Sequence, residues 1–325
     1  MTPKRITTFV SLIAAMLFPL YVRDTYVMHM TILIGIYTLG AISVNLLLGY
    51  AGQLSLGHAA FFGMGAYVSA LTCLKLALPM WIGMVVATLM AGLLGYIVAK
   101  LALKLRGAYF VILTISVAEI LKLVGLNWVT LTKGPMGLTD IPVAVIPLAS
   151  IGTIDFGEKI PYYYLVLLSA ILCASLQHRI VRSSLGRSII SIRENEDLAE
   201  SVGINCYKVL VVVVVISASI TGFSGSLYAH YVSFIDPGVF AFFFSVNLVM
   251  MVIGGGKGTL IGPIVGAVLF TLIPEWLRVF GDARMAVYAL IVVFIVIFMP
   301  RGILYSVVRP FAGRLAIFDS PSAQR

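Results

Sequence analysis

The stretch MHMTILIGIYTLGAISVNLLLGY, residues 28–50, decides the fold class. It holds no Asp, Glu, Lys or Arg and is longer than the about 20 residues an α-helix needs to cross a bilayer. Outward from it lie nine more stretches of the same kind. Ile6–Val22 precedes it, and Ala59–Leu78, Met80–Leu101 and Phe110–Leu126 follow. After a polar interval come Pro161–Leu176, Val209–Tyr231, Phe240–Ile253, Thr259–Ile273 and Met285–Met299. The eighth and ninth are short and flank a glycine run, so they read as half-spans or one broken helix. The sequence thus predicts an all-α polytopic integral membrane protein of about 8–10 transmembrane helices. Ile6–Val22 reads as a retained helix, because Phe18-Pro19-Leu20-Tyr21 offers no small-x-small cleavage site.

Composition agrees. Of 325 residues, 61% are hydrophobic and only 11% charged, and mean hydropathy is +1.07. A soluble domain carries about 25% charged residues to wet its surface. This chain cannot coat a globule of its size, which excludes a soluble enzyme, a nucleic-acid-binding domain and a disordered protein. Cys73, Cys173 and Cys206 form no CxxC pair or Cys/His cluster, so neither a disulfide framework nor a metal site is expected.

The net charge of +9 is explained by topology. With ten spans and both termini inside, fifteen of the 22 Lys and Arg residues fall on the cytoplasmic side and six outside, with Lys122 inside the fifth span. That is a positive-inside bias. A single membrane domain over residues 1–325 results. It has an outer loop at about 127–160, a cytoplasmic segment at about 177–208 and a basic cytoplasmic tail at 301–325.

Four motifs stand out, each with a plainer alternative. GQLSLGHAAFFGMGAY at 52–67 sets Gln53, Ser55 and His58 among glycines between two spans. It is either a broken helix lining a cavity or a tight surface turn. Glu119 and Lys122, three residues apart on one helix face, either pair internally or meet a zwitterion or a proton. RENEDLAESVGIN at 193–205 predicts a short helix capped by Asn195 and stopped by Gly203, with Leu198 and Val202 on one face. It suits docking into a partner's groove, or else lies as a solvated interfacial helix. IGGGKGTLIGPIVG at 253–266 is not a phosphate loop. Met251 stands where the first glycine is required and Gly258 follows Lys257. Gly262 and Gly266 suit close helix packing instead. Absence of H-E-x-x-H, G-x-S-x-G or clustered carboxylates argues against a membrane-embedded enzyme.

The chain resembles the permease subunit of bacterial branched-chain amino-acid ABC transporters, the LivM type. The resemblance is carried by NLLLGYAGQLSLGHAAFFGMGAY (45–67), LRGAYFVILTISVAEI (105–120) and TKGPMGLTDIP (132–142). LGRSIISIRENEDLAESVGIN (185–205), ASITGFSGSLYAHYVSFIDP (218–237) and GGGKGTLIGPIVGA (254–267) complete it. It implies an ATP-driven importer of the inner membrane, with no enzyme activity and no cofactor in this chain. ATP and Mg would be bound by two cytoplasmic ATPase subunits. A second, related permease chain would complete the pathway, and a periplasmic binding protein would deliver the solute. It also implies that residues 193–205 form the coupling helix docking in an ATPase, with Arg193, Glu194, Asp197, Leu198, Val202 and Gly203 taking part. Candidate pathway residues, each a polar group in or beside an apolar span, are Asn45, Gln53, Ser55, His58, Glu119 and Asn247. A urea or short-amide permease of the same family is the nearest alternative. An ATP-independent carrier or channel is the alternative of another class.

Overall fold

Asp24 starts the first long helix by accepting hydrogen bonds from the amides of Tyr26 and Val27, two of the donors a helix N-terminus leaves free. In this computed structural model, which describes residues 15–19, 21–22, 24–104, 107–148, 152–299, 302–303 and 305, α1 (Thr25–Val44) runs on into a π-helical turn, Asn45–Tyr50. Helices α2 (His58–Leu76), α3 (Met80–Ala102) and α4 (Ala108–Asn127) follow in alternating directions. Next comes α5 (Lys159–Arg182), then the short α6 (Ser184–Glu194) and α7 (Glu196–Ser201), then α8 (Cys206–Val232). The last three are α9 (Phe242–Gly255), α10 (Gly262–Trp276) and α11 (Arg284–Phe298).

Among the described residues, seven stretches are long and apolar enough to cross a membrane. The seventh, Gly262–Ile295, is α10 and α11 joined through a turn at Leu277–Ala283, where Gly281 leaves the helical conformation. With the shorter Phe242–Gly255, helices therefore coincide with nine of the ten expected stretches. Ile6–Val22 and the tail 301–325 lie largely outside the described residues. Several boundaries shift by a few residues. The sixth span continues to Arg182, carrying its basic end groups beyond the apolar stretch, and α8 begins at Cys206, where Asn205 Oδ1 caps it by accepting from the Lys208 amide.

Helices α1, α2 and α8 form the centre and are buried on most sides, whereas α4, α5, α10 and α11 are largely exposed. The centre is tight because small residues face one another. A Cβ on Gly65 of α2 would lie 2.0 Å from the Gly222 carbonyl oxygen of α8. Membrane helices gain their stability from such close packing, since lipid supplies no hydrophobic drive between them. Gly266 plays the same part between α9 and α10, where a Cβ would come within 1.7 Å of the Met251 carbonyl.

At the α1-start end of the bundle the connections carry two short ladders that the sequence did not announce. β1 (Leu138–Thr139) pairs antiparallel with β4 (Phe234–Ile235), and β2 (Val145–Leu148) with β3 (Gly152–Asp155). A turn leads into this cover: Lys133, Gly134 and Gly137 all have positive φ. His230 pins this cover to the bundle, with Nδ1 2.7 Å from the Pro142 carbonyl and Nε2 2.7 Å from Ser69 Oγ. A carbonyl only accepts, so Nδ1 carries the proton and Nε2 accepts from the serine.

Candidate functional site

Residues 51–57 leave the helix after Tyr50 and re-enter it at His58. At the near end Gly52 abuts Arg193, whose Cγ would lie 2.7 Å from an added Cβ. At the far end His58 Nε2 lies 3.0 Å from Ser217 Oγ. Ser217 is eleven residues into α8, or about 16 Å at 1.5 Å per residue. The stretch therefore runs in among the helices as a non-helical entry to the second span, which is a broken span in this sense, and does not turn outside the bundle.

Non-helical backbone survives among packed helices only when protein satisfies it. Thr114 Oγ1 of α4 accepts from the Leu56 amide (3.3 Å), Ser55 Oγ from Gly57 (3.3 Å) and Ser245 Oγ of α9 from Ala59 (2.8 Å). Ser55 and His58 are fully enclosed, while Gln53 is half-buried and Leu54 exposed. His58 belongs to a polar seam between α1 and α8. Ser217 Oγ donates to the Ser43 carbonyl (2.9 Å), so it accepts from His58, and Ser43 Oγ bonds Thr221 Oγ1. His58 Nδ1 is buried with no partner among the described residues.

Asn45, fully buried, clasps the loop between α9 and α10. Its Nδ2 donates to the Thr259 carbonyl and its Oδ1 accepts from the Gly258 amide, both at 2.8 Å. Thr259 Oγ1 in turn accepts from the amide of Gly262, the first residue of α10, at 3.0 Å. The Gly-rich segment is thus a packed helix connection. Asn247 lies away from this group; its Oδ1 accepts from Tyr288 Oη (2.8 Å) and ties α9 to α11.

Glu119 and Lys122 form an ion pair at 2.9 Å on the outward side of α4, their side chains 47% and 32% exposed. The same helix buries Phe110, Thr114, Ala118 and Gly125 on its other side.

At the α7 end, Asn195 Oδ1 accepts from the Leu198 amide at 3.0 Å and starts α7. Gly203, at φ +88°, ends it, with its amide and that of Ile204 bonded back to Glu200 and Ala199. Ala199 anchors the helix inward, leaving Leu198 (64%) and Val202 (75%) exposed beside Asp197. Arg193 turns inward instead. Its Nη1 donates to the Gly49 carbonyl and its Nη2 pairs with Glu194, both at 2.8 Å.

The structure thus gathers Asn45, Ser55, His58 and Arg193 around one broken span and leaves Glu119 and Asn247 on other faces. Sequence reasoning missed Ser43, Ser217, Thr221, Ser245 and Thr259. Their signal was small polar side chains inside apolar spans, which satisfy their own helix too often to be distinctive.

A bundle of crossing helices with a broken span, and a short capped helix offered at one end, is the architecture of a transporter's membrane component. The family described as Branched-chain amino acid transport system / permease component matches residues 26–299, and the chain belongs to that family. It is a permease subunit and not the ATPase. It is 31% identical over 287 residues to the high-affinity branched-chain amino acid transport system permease protein LivM of Escherichia coli, covering 83% of this chain and 68% of that one. BraD of Pseudomonas aeruginosa, another permease protein of that description, is 24% identical over 82% of this chain and 91% of its own. A probable branched-chain amino acid transport permease protein of Methanocaldococcus jannaschii is 24% identical, over 76% and 79%. No solved structure matches the chain.

Proposed function

We propose that this chain forms one half of the membrane pathway of an ATP-driven importer for branched-chain, hydrophobic amino acids. The other half is a related permease chain. Two cytoplasmic ATPases drive it through α7, and a periplasmic binding protein delivers the solute. The chain sits in the inner membrane with both termini cytoplasmic. Supporting that orientation, Lys100, Lys104, Arg179, Arg182, Arg187, Arg193, Lys208 and Lys257 fall at the α7 end, against Lys75, Lys133, Lys159, Arg278 and Arg284 at the other.

The observation that carries the reading is the wiring of α7. Leu198 and Val202 give an ATPase groove an apolar stripe to hold, and Arg193 joins the same segment to Gly49, at the head of the broken span. Closure of the ATPase pair moves α7, and that movement reaches the span that must open. This is alternating access between two packings of one bundle. Asn45, Ser55 and His58 hold the broken span in place.

Purification from the native membrane in mild detergent tests the reading. Stoichiometric recovery of two ATPases and a second permease chain is expected. Recovery of this chain alone, with gradient-driven uptake after reconstitution, would replace the importer by a secondary carrier.

A further inference from the structure

The Glu119–Lys122 pair sits where a membrane helix ordinarily carries no charge. Glu119 is eleven residues beyond Ala108 and eight before Asn127, near the middle of α4. It lies in line with Ile112, Ser116 and Leu123 on the side opposite Phe110, Thr114 and Ala118. The exposed sides of α3, α5 and α11 carry no such pair at mid-span. α3 presents Val85, Leu89 and Leu93, α5 presents Leu168 and Leu172, and α11 presents Leu290, Val293 and Ile297. Those faces suit lipid. A half-exposed carboxylate and ammonium at mid-span do not, and such groups face protein or a water-filled cavity. Asn127, and Ser116 one turn below Glu119, add exposed polar positions on the same side.

We propose that this face of α4 lines the translocation path and that Glu119 and Lys122 receive the head of a zwitterionic α-amino acid. This rests on the importer reading above. Glu119 takes the ammonium and Lys122 the carboxylate, while Ile112, Ile120 and Leu123 meet the aliphatic side chain. The empty site closes on itself as the 2.9 Å ion pair. Exchanging that pair for two ligand contacts changes no net charge, so the site is neutral whether loaded or empty. Charge neutrality lets a zwitterion pass a low-dielectric span without leaving an uncompensated charge behind. A neutral amide such as urea gains nothing from it.

The test uses the whole complex with its ATPases and binding protein in proteoliposomes, and labelled leucine as probe. Glu119→Gln, Lys122→Met and the double variant E119Q/K122M are compared with wild type. The proposal predicts uptake at least tenfold lower in all three, with assembly and loaded-binding-protein-stimulated ATP hydrolysis kept. The double variant separates ligand contact from scaffold, since removing both charges leaves no unpaired group. Wild-type uptake in the double variant, or its failure to assemble, makes the pair structural and overturns the proposal alone. A wild-type complex that hydrolyses ATP yet imports no leucine overturns the amino-acid reading and this inference with it.

Discussion

Arg193 Nη1 donates to the Gly49 carbonyl at 2.8 Å across 144 residues of sequence. The bond joins the last turn of α6, two residues before the α7 cap Asn195, to the end of the π-helical turn from which the broken span departs. Carbonyls at a helix end have no partner in their own helix, and a guanidinium is a strong donor for them. The hydrogen bond therefore ties the segment that carries the exposed Leu198 and Val202 to the start of the 51–57 stretch, and in the proposed importer it connects the docking surface to the segment that rearranges.

Arg193→Ala removes that link while leaving α7 on the surface. A hydrogen bond to a charged donor contributes about 1.5–3 kcal/mol, roughly tenfold or more in a coupled equilibrium. ATP hydrolysis should continue and solute moved per ATP should fall about tenfold. An unchanged ratio would show that the contact transmits nothing.

Leu198→Asp and Val202→Asp place a charge on an exposed surface of the isolated chain. Membrane insertion and thermal stability should stay near wild type, since exposed substitutions rarely exceed about 0.5 kcal/mol. Association with the ATPase should weaken at least tenfold in a pull-down. Normal association would mean that α7 is a solvated helix only.

Gly203→Val tests the helix stop. Nothing lies within 4 Å of an added Cβ, so the cost is conformational and comes from φ +88°. A side chain in the left-handed region costs about 1–2 kcal/mol, and Asn tolerates it better than Val. ATPase co-purification should fall in the order Gly, Asn, Val. Equal recovery of the three proteins would remove the need for a left-handed residue there.

Asn45→Ala leaves the Gly258 amide and the Thr259 carbonyl without their partner. Each unsatisfied buried group costs about 1–3 kcal/mol. The melting temperature in detergent should drop by several degrees, and Asn45→Asp should not restore it, because a carboxylate cannot donate to Thr259. A wild-type melting curve for Asn45→Ala would place the loop's support elsewhere.

How much of this could be read in the sequence depends on how local the cause was. Spans need only length and hydropathy, and α7 needs only Asn195 and Gly203 within eight residues of each other, so both were legible. The Asn45 clasp closes across 213 residues and the His58–Ser217 contact across 159. Nothing near either residue distinguishes it from any other polar group in a span. Asn247 was read as a pathway residue on polarity alone, yet its partner is Tyr288 on a neighbouring helix. Arg193 was read with the docking group because of its position in RENEDL, whereas its guanidinium faces Gly49. The β1–β4 ladder pairs residues on either side of four helices, α5 to α8, and has no local pattern of alternation to announce it.

The central claim is that ATP binding in partner subunits moves amino acids through this chain. Uptake of labelled leucine into proteoliposomes holding the assembled complex, with binding protein supplied outside the pathway mouth, tests it most directly. The account predicts uptake that requires ATP and the binding protein together and is insensitive to collapse of proton and sodium gradients. Uptake by this chain without ATP, abolished when the gradients are dissipated, would contradict it.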